Sequence, residues 1–267
     1  MRILVTGHKG FIGRNLYERL QGAHDLQGWN DPESMPVLDG LDWVIHLGAI
    51  SSTTETDVDK IMRHNLEYSQ ELFRMCNKNK INFQYASSAS VYGTLQEFKE
   101  DGGVAPQSPY SWTKYLFDRW VFQQERKIVV QGFRYFNVYG PHEEHKGDQS
   151  SPISKFEQQA REKKQIILFE GSEKYSRDFV YVGDVCSIHE LFMEDCSSGI
   201  FNVGTGSVHN FKEIAQAIAK KFKAGIKEIP MPANIARQYQ SYTRADMTRT
   251  KKIIGNFNFT DALDYIG

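Results

Sequence analysis

Short apolar runs alternate with amphipathic stretches over the first half of the chain. Arg2–Thr6 is a strand by its run Ile3, Leu4 and Val5, and a glycine turn follows at once. Phe11–Leu20 predicts a helix with Phe11, Ile12, Leu16 and Leu20 inward. His24–Trp29 and Asp42–Leu47 predict further strands. In Asp59–Asn77 the residues Ile61, Met62, Leu66, Leu72 and Phe73 recur at helical spacing. Asn82–Ser87 and Lys127–Tyr135 read as strands, with a helix over Tyr110–Glu125 between them. Buried strands alternating with amphipathic helices predict an α/β fold. Its centre is a doubly wound parallel sheet covered on both faces.

After about residue 140 the pattern loosens. Pro141–Ser154 is polar and reads as a loop, followed by a helix over Ile153–Lys163. Ile166–Phe169, Phe179–Val182 and Ile200–Val203 predict short strands, and Phe211–Lys223 a helix. Residues 1–140 are expected to form the first domain. Residues 141–267 are expected to form mainly a smaller C-terminal region, interleaved with it, over the carboxyl edge of the sheet. In open α/β sheets ligands bind at that edge.

Composition narrows the classes. The 267 residues carry 32 basic and 33 acidic side chains and a net charge of -1, which makes no case for nucleic acid as a partner. No apolar run reaches membrane-spanning length and no secretory segment opens the chain. Cys76, Cys186 and Cys196 are widely spaced, with neither a metal-ligand nor a disulfide pattern. A cytoplasmic protein with buried thiols and no metal is expected.

Gly7, Gly10 and Gly13 sit between a strand and a helix. Small residues there let the backbone approach a pyrophosphate at the positive end of the helix. The acidic residue that would hold an adenosine ribose falls at Asp31, or its place is taken by Asn30. Arg14 could meet a 2′-phosphate, so NAD and NADP both stand open. Tyr110 and Lys114 lie four apart and share a helix face. A lysine ammonium there favours a phenolate, and the Ser88 hydroxyl after a buried strand could bind a reacting oxygen. The set suggests redox chemistry on an alcohol or carbonyl.

These motifs resemble the extended short-chain dehydrogenase/reductase family of nucleotide-sugar epimerases and dehydratases. The matching stretches are Gly7–Gly13, Tyr85–Gly93, Tyr110–Lys114, Phe133–Pro141 and Arg177–Val185. The resemblance implies a Rossmann domain, a tightly bound and recycled NAD or NADP, and a nucleotide-diphosphate sugar beneath the smaller region. Ser51–Glu55, His145–Gly147, Phe169–Glu173 and Tyr239–Asp246 are similar to the ADP-glyceromanno-heptose 6-epimerase branch, which serves lipopolysaccharide heptose supply.

That branch implies Tyr110 and Lys146 as paired acid/base groups, with Ser88 on the oxygen and Lys114 orienting cofactor and tyrosine. It implies Asn137, Val138, Phe169, Glu170, Gly171, Ser172, Arg177 and Tyr239 on the substrate. It implies Phe11, Ile12, Leu47, Ala49, Ser51 and Asn65 along the cofactor. Helices Asp59–Asn77 and Tyr110–Glu125 resemble those that pair in homo-oligomers of the family.

The chain departs from the family in three places. Only about a dozen residues separate Asn30 from Trp43, so the usual third strand and its acidic loop beside adenine are expected to be missing. Asp148 and Lys155 replace a serine and a substrate-binding histidine. No closing helix is expected before Gly267. A UDP-hexose 4-epimerase, a reductase that consumes NADPH, and a non-catalytic nucleotide-binding protein on the same fold are the alternatives.

Overall fold

The structure is a computed structural model that describes residues 1–52, 55–232 and 240–267. Five strands follow the predicted order: β1 (Arg2–Thr6), β2 (Asp25–Trp29), β3 (Trp43–His46), β4 (Asn82–Ser88) and β5 (Val130–Tyr135). With Gly199–Val203 they make one parallel six-stranded sheet. From one edge it runs Gly199–Val203, β5, β4, β3, β1, β2.

Alternate residues of the inner strands enter opposite cores, as a pleated strand requires. Leu4, Val44, Phe83, Tyr85 and Val130 pack against Leu66, Leu72, Phe73, Phe117 and Val121 of helices on one face. Ile3, Val5, Trp43 and Ile45 pack against Leu16, Leu20, Val182, Cys186 and Met193 on the other. Both faces are therefore buried, and the strands read as apolar runs for that reason.

β1 pairs with β2 on one side and β3 on the other. Strand order reverses there, and a crevice opens beyond the carboxyl ends of β1 and β3. The usual third strand is missing, as the short span after Asn30 predicts: β3 is the next strand after residue 29, and β2 is an edge of the sheet among the described residues.

A second core surrounds helices Pro152–Lys163 and Phe211–Phe222 and the parallel pair Gln165–Phe169 and Gly225–Ile229. Several features differ from the sequence-based expectation. Gly199–Val203 extends the main sheet beside β5. Val182 opens a helix to Asp195 instead of closing a strand. Val182, Val185, Cys186, Ile188, His189, Phe192 and Met193 are all buried, so only a narrow stripe at Ser187, Glu190 and Glu194 marks that helix. The segment read as one loop after Pro141 holds a 3₁₀ stretch at Glu144–Gln149, and the next helix starts at Pro152. A short helix, Ala262–Ile266, does close the described chain, with Ala262 and Ile266 in the second core.

Candidate active site

The glycine turn is shaped by close approach. Gly7 has φ +70°, and a Cβ on it would lie 2.6 Å from the Gly48 nitrogen. A Cβ on Gly13 would lie 2.1 Å from the Gly7 carbonyl oxygen. Gly10 is the N-cap of Phe11–Leu20, with no side chain covering the first helical N–H groups. Those groups and the bare backbone suit an anionic pyrophosphate. Beside the turn is a cavity of about 480 Å³, lined by Gly7, Lys9, Gly10, Trp29, Asn30, Asp31, Leu47 and Ala49, among others. A dinucleotide fits this cradle.

Phe11, Ile12, Gly13, Ser51 and Asn65 do not line the cavity. Phe11 and Ile12 pack into the cores beneath it. Asn65 is buried, and its amide grips the loop after β3. Its Oδ1 accepts from the Ile50 N–H (2.8 Å) and its Nδ2 donates to the Ile50 carbonyl (2.9 Å). A polar chain holds Asn65 from below. The Gly48 N–H donates to Thr6 Oγ1 (3.3 Å), leaving the Thr6 hydroxyl to donate to His46 Nδ1 (2.6 Å). His46 Nε2 then donates to Ser69 Oγ (2.9 Å), which donates to the Asn65 carbonyl (2.7 Å). Burial, reinforced by the charge on Lys114, drives the His46 pKa down to about 3, so the ring is neutral.

Asp31 ends the β2 wall. Its carboxylate accepts from Ser34 Oγ (2.6 Å) and the Glu33 N–H (2.9 Å), and these bonds hold its pKa below the ordinary value. Arg14 is turned along its own helix to Glu18 (2.9 Å) and is not part of the cavity wall.

The chemical groups meet at the carboxyl end of β4. Ser88 caps the 3₁₀ turn Ala89–Tyr92. Tyr110 opens the helix Pro109–Gln123, whose N-cap Ser108 forms a capping box with Ser111. The Tyr110 phenol is half-buried near Ser88. Burial raises its pKa, and the Ser88 hydroxyl offsets part of that rise. The sequence suggested that Lys114 would bring the phenol down; in the folded chain burial dominates. Lys114 is buried, with its Nζ 5.8 Å from the Tyr110 ring centre and donating to the Ala86 carbonyl (2.8 Å). Burial lowers its pKa to about 8 against the raising effect of Asp118.

Asp118 continues the face of Tyr110 and Lys114. It accepts from Tyr85 (2.9 Å), Ser87 (3.0 Å) and Arg134 Nε (3.0 Å). Sequence reasoning placed Asp118 on this helix without giving it a role. Its i+4 spacing from Lys114 was the available signal.

Lys146 reaches the glycine turn. Its Nζ lies 4.7 Å from the Phe11 ring centre and 3.5 Å from Glu143. Burial lowers its pKa and Glu143 opposes that. Glu143 is buried. It accepts from the Gly140 N–H (3.2 Å), the Ser151 N–H (2.6 Å) and Ser151 Oγ (2.8 Å). His142 pairs with Glu18 (3.1 Å), and His145 lines the nucleotide cavity.

Asn137 and Val138 lie just past Tyr135, which is in register with Ser88. The Asn137 N–H bonds to the Asp178 carbonyl (3.1 Å) beside Arg177. Arg177 is buried and donates to the carbonyls of Ser176 (3.0 Å) and Gln240 (2.5 Å), over the Phe211 ring. The neighbouring Asp178 carboxylate is turned instead to Thr205, Gly206 and Ala245. Phe169, Glu170 and Gly171 form the turn after the Gln165–Phe169 strand. Ser172 follows, buried, its hydroxyl without a hydrogen-bond partner among the described residues. Tyr239 lies outside the described residues.

A family model described as the NAD dependent epimerase/dehydratase family matches residues 3–204. The structure is similar to ADP-L-glycero-D-manno-heptose-6-epimerase of Helicobacter pylori at 25% identity and TM-score 0.87, covering 99% of this chain and 93% of that one. It is also similar to UDP-N-acetylglucosamine 4-epimerase of Methanobrevibacter ruminantium, at 22% identity and TM-score 0.87, with 99% and 96% covered. UDP-glucose 4-epimerase of Thermus thermophilus, in complex with NAD, matches at 24% identity and TM-score 0.79, with 99% and 97% covered. The match over residues 3–204 agrees with the glycine cradle and the serine, tyrosine and lysine at the sheet edge: the chain belongs to the NAD dependent epimerase/dehydratase family.

Proposed function

We propose that the protein is a nucleotide-diphosphate-sugar epimerase of the ADP-glyceromanno-heptose 6-epimerase type, working through a transient keto sugar. The observation that carries this reading is the Tyr110 phenol set near Ser88, one helical turn ahead of buried Lys114. The Ser88 hydroxyl holds the sugar oxygen, and Tyr110 takes and returns its proton. Lys114 fixes the helix against β4 through Ala86 and favours the phenolate once the site is closed. A nicotinamide held by the glycine turn would supply reversible removal and return of hydride at the sugar carbon. Lys146, between Glu143 and Phe11, serves as the acid/base on the second face. Arg177 and the Phe169–Ser172 turn receive the nucleotide diphosphate and sugar.

Ionised Asp31 on the cavity wall, with Arg14 turned away to Glu18, supports NAD over NADP. The similarity to the Helicobacter pylori enzyme supports the heptose. A UDP-sugar 4-epimerase is the second reading, because the Lys146 ammonium already has Glu143 as a partner.

The test is proton NMR of the protein with ADP-D-glycero-D-manno-heptose and no added cofactor. The L-glycero epimer should appear. Tyr110→Phe should abolish it while leaving nucleotide binding intact, and Lys146→Ala should remove most turnover. Turnover of UDP-glucose or UDP-N-acetylglucosamine instead, with Lys146→Ala still active, would establish the second reading. Inertness toward all three sugars with NAD supplied would leave a nucleotide-binding protein.

A further inference from the structure

The cavity beside the glycine turn has two polar atoms that nothing described so far uses. Its wall opposite β2 is formed by Lys60, His64 and Tyr68, on the continuous helical segment from Val58 to Asn79. That segment widens into a π-helical stretch at Met62–Glu67, a distortion often found at functional sites. Asn65 of the stretch points inward to Ile50, as described, and its neighbour His64 meets the cavity.

Tyr68 Oη and His64 Nδ1 are buried and have no hydrogen-bond partner among the described residues. The other ring nitrogen of His64 faces Glu33 at 3.5 Å. The Trp29 indole N–H lies against the Tyr68 hydroxyl but donates to the Asp31 carbonyl (2.9 Å). A buried hydroxyl and a buried ring nitrogen without partners cost free energy unless a ligand completes them.

The two residues are one turn apart and share a helix face. Across the cavity stand Trp29, Asn30, Asp31 and Pro32. Among the described residues no third strand flanks β2 here, and β2 is the edge of the sheet. A hydroxyl that both donates and accepts, beside a ring nitrogen, matches a flat base with an amino group next to a ring nitrogen.

We propose that Tyr68 and His64 form the adenine subsite of this chain, in place of the missing third strand, with Trp29 beside Tyr68 and Asp31 at its rim. This rests on the reading of the glycine cavity as a dinucleotide site but not on the identity of the sugar. Tyr68 Oη and His64 Nδ1 divide the amino group and ring nitrogen of adenine between them. Asp31 lies on the side where the attached ribose leaves the base.

The experiment is displacement of labelled NAD from the full chain by AMP, IMP and nicotinamide mononucleotide. Wild type should bind AMP more tightly than IMP, which lacks the amino group. Tyr68→Phe should weaken NAD and AMP about 5–10-fold, the range for a lost buried hydrogen bond, and erase the preference over IMP. His64→Ala should weaken AMP similarly. Nicotinamide mononucleotide should be unchanged in both variants, which a general loosening of the fold would not allow. AMP affinity equal in wild type and both folded variants overturns the adenine assignment and leaves the dinucleotide reading standing. Failure of wild type to bind either NAD or AMP overturns both.

Discussion

His46 and His189 are neutral in the folded chain, each with its pKa lowered to about 3 by burial. His189 Nδ1 donates to Gln84 Oε1 and its Nε2 accepts from Tyr135, both at 2.6 Å, so it, like His46, is held in one tautomer. In the unfolded chain both rings titrate near 6.5. Between that value and about 3 the unfolded state binds two protons that the native state does not. Stability is therefore full above pH 6.5 and falls as pH drops, by up to about 2.7 kcal/mol per pH unit for the pair. Urea melts between pH 6.5 and 5 should show this slope, and His189→Gln should halve it. An unchanged slope in the variant would show that His189 is not the proton acceptor. Tyr110, Lys114 and Ser88 were legible at this scale because their spacing and order carry chemistry. Asn65 was read along the cofactor, but it is buried off the cavity wall and grips Ile50, a task that depends on where the chain folds back. His64 and Tyr68 gave no signal, because a polar residue on a helix reads as solvated until a cavity is seen beside it.

At the scale of elements, the segment after Pro141 is organised around one buried carboxylate. Glu143 joins Gly140, Lys146 and Ser151. Glu143→Ala leaves those donors unmatched and should cost on the order of 2–4 kcal/mol in urea melts. It should also lower turnover without weakening AMP, because the cavity wall from β2 to Tyr68 does not include Glu143. A variant as stable as wild type would show that the segment is held by other contacts. This organisation was hidden in the sequence, where Pro-His-Glu-Glu-His-Lys-Gly is indistinguishable from a solvated loop. The helix Phe211–Phe222 was plain, since Ile214, Ala215 and Ile218 make a one-sided stripe. Val182–Asp195 was not, because it is buried on most of its surface. The strand Gly225–Ile229 was missed for another reason. Its partner Gln165–Phe169 lies far back along the chain, and its own side chains are mostly exposed.

Over the whole molecule the alternation of strand and helix was enough to specify a doubly wound parallel sheet, and the short span after Asn30 was enough to remove one strand from it. That removal leaves β2 with its outer backbone N–H and C=O groups unpaired by any described strand. Such a margin is a template on which another chain can add a strand and aggregate. β2 is poorly suited to serve as one. It is short, Asp25 and Gln27 are exposed, and Gly28 weakens its extended form. Gly28 cannot readily be replaced, since a Cβ there would lie 2.7 Å from the His8 ring. Asp25→Val with Gln27→Val leaves Gly28 in place and removes the polar guard. That double variant should show concentration-dependent light scattering at unchanged secondary structure, and monodisperse behaviour would refute the guarding role. The shortened sheet thus turns an interior seam into a frontier, with two polar side chains standing where a neighbouring strand would have sealed the border.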